Sequence, residues 1–209
     1  IWLQSVLGMV ITDKNVLIRA VPITCLILFM GVIYFWQKAL ITSFSLNSYL
    51  KNLTLILSLP ILSIFLTISF PDCLVILCLS LSGFFLSKFL QTTRKQKERI
   101  TLWYLSVFFF SLAILSKYNA VIFGLGVFVF LIASSSQKTI IFSRHLIFAI
   151  ILIVVVQIPV IEWNIKNEFL SFRFHLQDRL EFSVYFDQVL KQIIIFFLGL
   201  VVSFSPFFC

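Results

Sequence analysis

The stretch "LIFAIILIVVVQIPVIEWNIKNEFLSFRFHLQDR" covers residues 146–179. Its first fifteen residues, Leu146 to Val160, carry no charge, and Gln157 is their one strongly polar side chain. From Glu162 onward, charges arrive every few positions, threaded with Trp163, Phe169, Phe172 and Phe174. An apolar run of this length approaches the roughly 20 residues needed to cross the hydrocarbon core of a bilayer. The polar and aromatic continuation is what an interface between hydrocarbon and water accommodates. The stretch therefore reads as a membrane span followed by a polar segment that is either an ordinary loop or a place where chemistry happens.

The rest of the chain repeats the first half of that pattern. Of the 209 residues, 61% are hydrophobic and 11% are charged, and the mean hydropathy is +1.11. A soluble domain carries about 25% charged residues, so a soluble fold is excluded. The runs are apolar all round rather than alternating, which excludes a membrane β-barrel. The expected fold is an all-α, multi-pass transmembrane helical bundle. Seven apolar segments are expected, at about 19–36, 52–70, 73–90, 101–116, 118–134, 145–161 and 189–208, with Pro60 positioned to kink the second. No soluble domain or linker interrupts them, so residues 1–209 read as a single transmembrane domain. The chain opens on Ile1 and ends within an apolar run; the expectation is a piece of a longer protein, incomplete at both ends.

A formal net charge of +8 would suggest nucleic acid in a soluble protein, but here basic residues hold loops on the cytoplasmic side. "TTRKQKERI" (92–100) concentrates Arg94, Lys95, Lys97 and Arg99 against Glu98. Placing it inside puts Lys38, Lys51, Lys88, Lys138 and Arg144 inside by alternation, with Glu98 the one acid there. The segments at 1–18, 71–72, 117–118 and 162–188 then lie outside and hold every other acid.

That outer set contains the candidate chemistry. Asp72 opens the third span, Lys117 and Tyr118 sit where two spans meet with almost no loop, and 162–188 supplies Trp163, Asn164, Arg173, His175 and Arg179. Arg19 lies near the outer end of the first span. Ionisable residues at membrane edges are costly unless partnered, which marks them as functional candidates. Each also has a plainer reading. Pro71–Asp72 is an ordinary helix start, with the acid at the positive end of the dipole. Lys117 can snorkel to the interface, His175 can be a polar loop residue, and Trp163 with its neighbouring phenylalanines can be an aromatic belt. "FLSFRFHLQDRL" (169–180) can be an amphipathic surface helix. The four cysteines lack metal-ligand spacing and read as small hydrophobes. Two histidines are too few for a histidine-built metal site, and no cofactor is expected. Taken together, cations beside aromatics and an acid suit a lipid-linked phosphate. The phosphate wants Lys or Arg, the tail wants the bilayer, and a sugar wants aromatic faces and amide groups.

These residues resemble a family. "SFPD" (69–72), "LAILSKYNAV" (112–121) and "PVIEWNIKNEFLSFRFHLQDR" (159–179) are similar to motifs of the bacterial polyprenyl-phosphate-sugar glycosyltransferases, in the superfamily of protein O-mannosyltransferases and aminoarabinose transferases. That family shows Thr-Pro-Asp, a Leu-Ser-Lys-Tyr-like stretch, and Pro-x-x-x-Trp-Asn followed by Ser-Phe-x-Phe-Gln. Here Phe70 replaces the Thr and His175 stands where Gln is common. "VLIRAVPITCLILFMGVIYFW" (16–36) resembles the family's Arg-x-x-Pro span. The resemblance implies a GT-C fold and transfer of a sugar from a polyprenyl phosphate to a lipid, glycan or protein acceptor at the external face of the cytoplasmic membrane. It implies substrate contacts at Lys117, Tyr118, Trp163, Asn164, Arg173, His175 and Arg179, with Asp72 in support. The family's catalytic acid lies in an outer loop upstream of the Arg-x-x-Pro span; Asp13 does not match it, so that acid is expected before Ile1. Two other functions remain open on the sequence: a non-catalytic lipid-phosphate binder or flippase, and a transporter.

Overall fold

A computed structural model of the chain describes residues 8–9, 13–59, 70–91, 96–134 and 143–170, together with positions 62, 66, 140, 191, 194 and 195. The described residues form helices joined by short turns, with no strand among them. Helix α1 spans Lys14–Leu40, α2 Leu46–Leu57, α3 Phe70–Gln91, α4 Gln96–Ser116, α5 Val121–Ala133 and α6 Arg144–Lys166, with a single 3₁₀ turn at Tyr118–Ala120 between α4 and α5.

Four of these helices are long and apolar enough to cross a membrane: Ile18–Leu40, Pro71–Gln91, Lys97–Ser116 and Arg144–Lys166. They answer to the first, third, fourth and sixth expected segments. The fifth is shorter than its apolar run suggested. Helix α5 has 13 residues, about 20 Å at 1.5 Å per residue, because Lys117 interrupts the helix on one side and Ser134 ends it on the other. Helix α2 begins ahead of the second expected segment, where Ser45 caps it by accepting the Ser48 N–H at 3.1 Å. It ends at Leu57, and most of the second segment beyond it, Pro60 included, lies outside the described residues. So does the 189–208 segment, apart from three positions.

Three packing seams order the bundle. Helix α1 presents Val21, Cys25, Phe29 and Val32, spaced four, four and three apart, to Cys73 and Leu77 of α3. That spacing places them along one helical stripe. Further along the same seam, Trp36 meets Phe84 edge-on, so α1 and α3 run parallel. Helices α3 and α4 are antiparallel and pack most closely: Phe85 stacks on Phe109 at 5.6 Å, and Phe89 lies against Trp103 at 5.5 Å. Between them, the buried Ser106 hydroxyl donates to the Ser82 carbonyl at 2.9 Å. Small hydroxyl residues of this kind let helices approach and hydrogen-bond where hydrocarbon supplies no driving force. Finally, α6 runs parallel to α4, joined at one end by Tyr104 Oη and His145 Nδ1 at 2.9 Å and further along by Gln157 Nε2 donating to the Ser111 carbonyl at 2.9 Å.

This arrangement brings the start of α1, the start of α3, the end of α4 and the end of α6 to one end of the bundle. Lys88, Lys97, Arg99 and Arg144 gather at the other. The alternation expected from the charges is thus present as relative orientation. Helix α6 buries only 6% of its span, against 33% in each of the other three. Ile147, Val154 and Ile158 stand half exposed or more. Hydrocarbon is the solvent in which such a surface is stable.

Close approach of α1 to α3 depends on Gly83. A Cβ there would lie 2.7 Å from Trp36 Cη2. Gly83→Leu is expected to push Trp36 off its seat and lower stability by about 1–3 kcal/mol, the usual cost of overpacking. Thermal denaturation in detergent checks this; an unchanged midpoint would mean that the indole moves aside freely.

Candidate functional site

The common end of the helices carries the polar residues. Helix α3 starts with Pro71 and Asp72 in its first turn. Proline is tolerated there because the first-turn N–H groups lack intrahelical partners anyway, and the acid faces the positive end of the dipole. Helix α4 ends at Ser116 because Lys117 adopts an extended conformation, φ −156° and ψ 126°. That places the Lys117 cation at the negative end of the α4 dipole. Since α3 and α4 are antiparallel, the acid and the base meet. Lys117 Nζ donates to Asp72 Oδ1 at 2.5 Å, and Ser116 Oγ donates to the Pro71 carbonyl at 3.1 Å. The last residue of α4 and the residue after it are therefore tied to two successive residues of α3.

The pair is unequal in exposure. The Asp72 side chain is 15% exposed and that of Lys117 is 41% exposed. The carboxylate is anchored in protein while the ammonium reaches toward the surroundings. Ammonium has three donors, and the Asp72 contact uses one of them. Tyr118 follows directly, half exposed, in the 3₁₀ turn.

The last turns of α6 supply Trp163 and Asn164. Glu162, Trp163 and Asn164, expected in a loop, are helical, since α6 runs on to Lys166. Trp163 is 49% exposed, whereas Asn164 next to it is buried at 1%; a rotation of about 100° per residue separates the two. Asn164 Nδ2 donates to the Val160 carbonyl at 2.9 Å. Its Oδ1 is buried and accepts no hydrogen bond. Above it the chain turns sharply: the Phe169 N–H donates to the Asn164 carbonyl at 2.7 Å, and Glu168 and Phe169 have φ of 52° and 56°. Two consecutive left-handed residues, neither of them glycine, are uncommon and store strain.

Heights along the bundle follow from the cross-links. Gln157 meets Ser111; Lys117 lies six residues beyond Ser111 and Asn164 seven beyond Gln157, rises of about 9 and 10.5 Å on parallel helices. Both residues lie beyond that cross-link, toward the polar end of the bundle. On the other seam, Cys25 and Cys73 sit together in one buried cluster. Asp72 is next to Cys73, and Arg19 lies six residues before Cys25, so the exposed Arg19 stands about 7.5 Å further out.

Of the expected site residues, the structure brings Asp72 and Lys117 into contact and sets Tyr118, Trp163 and Asn164 at the same end. Arg173, His175 and Arg179 lie outside the described residues, as does most of the 169–180 stretch. Two participants were missed from sequence: Ser116, which the Leu-Ser-Lys-Tyr-like motif contains, and Gln157, which its isolation in an uncharged run marks. The Glu162–Lys166 pair, 2.6 Å apart and exposed on both sides, is a one-turn surface contact. Among the described residues no three His, Cys, Asp or Glu side chains gather as a metal site would require.

No curated protein and no solved structure matches the chain significantly. Residues 1–163, from the chain's start to Trp163, match the family described as dolichyl-phosphate-mannose-protein mannosyltransferase. With an all-helical membrane fold, a close lysine–aspartate pair at the resembling motifs and a family match over well over half of its length, the chain belongs to the dolichyl-phosphate-mannose-protein mannosyltransferase family of membrane glycosyltransferases.

Proposed function

We propose that the protein moves a sugar from a polyprenyl phosphate to an acceptor at the external face of the cytoplasmic membrane, and that the Lys117 end of the bundle holds the donor. The observation that carries this reading is the Lys117–Asp72 pair at the junction of α4 and the 3₁₀ turn. A cation lodged at headgroup depth, anchored by a more deeply buried carboxylate and partly open to its surroundings, is built to grip a phosphate whose tail lies in the bilayer. In the transfer, the bond between the sugar's anomeric carbon and the phosphate oxygen breaks. A new bond forms to the acceptor hydroxyl, whose proton passes to a base. The polyprenyl phosphate departs with the bonding electrons. Lys117 stabilises the charge that grows on the leaving phosphate, which is electrostatic catalysis. Trp163, Asn164 and Tyr118 line the sugar's side of the site, and Arg173 or Arg179 joins Lys117 on the phosphate. The base is a carboxylate supplied by an outer loop upstream of α1.

Membranes containing the full-length protein should transfer label from a polyprenyl-phosphate sugar, strictly dependent on that lipid. A flippase or transporter would move lipid or solute across vesicles without forming product, and that outcome would overturn the proposal. Sidedness is tested separately. In a background without the natural cysteines, Asn167→Cys should react with an impermeant thiol reagent in intact cells and Gln96→Cys should not. Labelling at 96 from outside would invert the orientation.

A further inference from the structure

We infer that Cys25 and Cys73 are joined in a disulfide that fastens α1 to α3 beside Asp72. Both residues are fully buried and belong to the core cluster of the α1–α3 seam. The structure holds them as thiols that hydrogen-bond to each other. The register of the two helices places them face to face independently of that contact. Trp36 meets Phe84 on the same seam, and these residues lie eleven positions beyond Cys25 and Cys73 respectively. Eleven residues are about three turns of helix, so each helix brings the same face round again. Two parallel helices that touch at 36 and 84 therefore also face each other at 25 and 73. A buried cysteine ordinarily packs as a small hydrophobe, and Cys78 does so. Five residues on from Cys73, it is turned by about 140° and packs on the cluster of Ala113 and Ile114. Cys25 and Cys73 instead come from different helices and meet thiol to thiol, which apolar packing does not require.

The oxidant is a disulfide, RS–SR, met at the external face. One cysteine thiolate attacks it and releases RS⁻; the second attacks the resulting mixed disulfide and releases the other RS⁻. Two protein thiols become one disulfide, the oxidant becomes two thiols, and the two protons lost by the cysteines pass to the departing thiolates. Cys73 directly follows Asp72, and Cys25 lies in the first half of α1. The proposed orientation turns that end of the bundle outward, where disulfides form and persist; the inference rests on that orientation and not on the sugar chemistry. Oxidation takes place as α1 and α3 pair, before the seam closes over both sulfurs, and burial then keeps reductants away. The bond holds the first turn of α3 against α1, and with it the carboxylate that anchors Lys117.

The test uses the full-length wild-type protein in cell membranes, quenched in acid, unfolded without reductant and treated with a maleimide. Cys78 should be labelled, whereas Cys25 and Cys73 should stay unlabelled until a reductant is added. A non-reduced digest should contain their two peptides joined, lighter than the sum of the separate peptides by the two thiol hydrogens. In detergent, a strong reductant should lower the melting temperature of wild type, because the bond constrains the unfolded chain. It should leave that of the double variant Cys25→Ala, Cys73→Ala unchanged. The labelling requires no variant, so it decides the matter even if the double variant fails to fold. Labelling of both cysteines without reductant, or a disulfide that joins either of them to Cys78, would overturn the inference. The labelling of Asn167→Cys and Gln96→Cys described above then shows whether the external orientation falls with it.

Discussion

Lys117→Met in the full-length protein is expected to lower sugar transfer by about 10- to 100-fold without impairing membrane insertion. A hydrogen bond to a charged group is worth roughly 1.5–3 kcal/mol, and each 1.4 kcal/mol is a factor of ten. Met keeps much of the length and apolar stem and removes only the charge. The structure sharpens this expectation, because Lys117 stands at the surface end of a helix with one donor committed to Asp72 and its side chain 41% exposed. If Lys117 only snorkels, the substitution changes expression and little else. Lys138→Met, between the fifth and sixth expected apolar segments, is the control and should be nearly silent. Initial rates with a labelled donor, normalised to inserted protein, decide the matter, and equal activity of the two variants removes the phosphate role.

The second large effect concerns Asp72, and its purpose is to separate a functional pair from a structural staple. Asp72→Ala leaves the Lys117 ammonium without its anchor. An exposed ion pair contributes about 0–1 kcal/mol, whereas stranding a buried charge costs about 3–5 kcal/mol. With the carboxylate 15% and the lysine side chain 41% exposed, the expected loss of stability is between these, roughly 1–3 kcal/mol, accompanied by a fall in transfer of about tenfold or more. The exchange Asp72→Lys with Lys117→Asp then discriminates. It restores opposite charges across the α3–α4 seam, so it should recover part of the lost stability. The recovery is incomplete because each charge now sits at the wrong end of a helix dipole, worth about 0.3–1 kcal/mol apiece. Transfer should stay low, because the cation has moved from the open end of α4 to the more enclosed first turn of α3. Recovery of transfer in step with stability would reduce the pair to a staple.

Much of this protein was legible without coordinates. A membrane imposes a one-dimensional test: each spanning segment must be apolar along its length, because no water is present to satisfy exposed backbone or charge. Runs such as Leu146–Val160 therefore announce themselves, and the basic side chains of 92–100 and 144 sort the ends of the helices. The family was legible for a similar reason, since "SFPD", "LSKYN" and "PVIEWN" are short motifs readable along the chain. Hydropathy registers composition and not helix length, which is why the run at 118–134 looked like a full span although its helix covers only Val121–Ala133.

What only the tertiary structure decided depends on rotation and register. Asp72 and Lys117 are 45 positions apart; each was a candidate by itself, but their contact requires α3 and α4 to be antiparallel with Ser116 facing Pro71. Trp163 and Asn164 are neighbours in sequence, yet one is half exposed and the other buried, because α6 meets α4 along one face and that face contains position 164. Gln157 finds the Ser111 carbonyl by the same geometry. Apolar side chains are nearly interchangeable to a bilayer, so the sequence alone determined which segments enter it and which ends collect charge. The angle at which each helix turns toward its neighbour is settled by packing between particular side chains, such as Trp36 over Gly83 and Phe85 on Phe109. That angle brought the lysine to its aspartate and turned Asn164 inward.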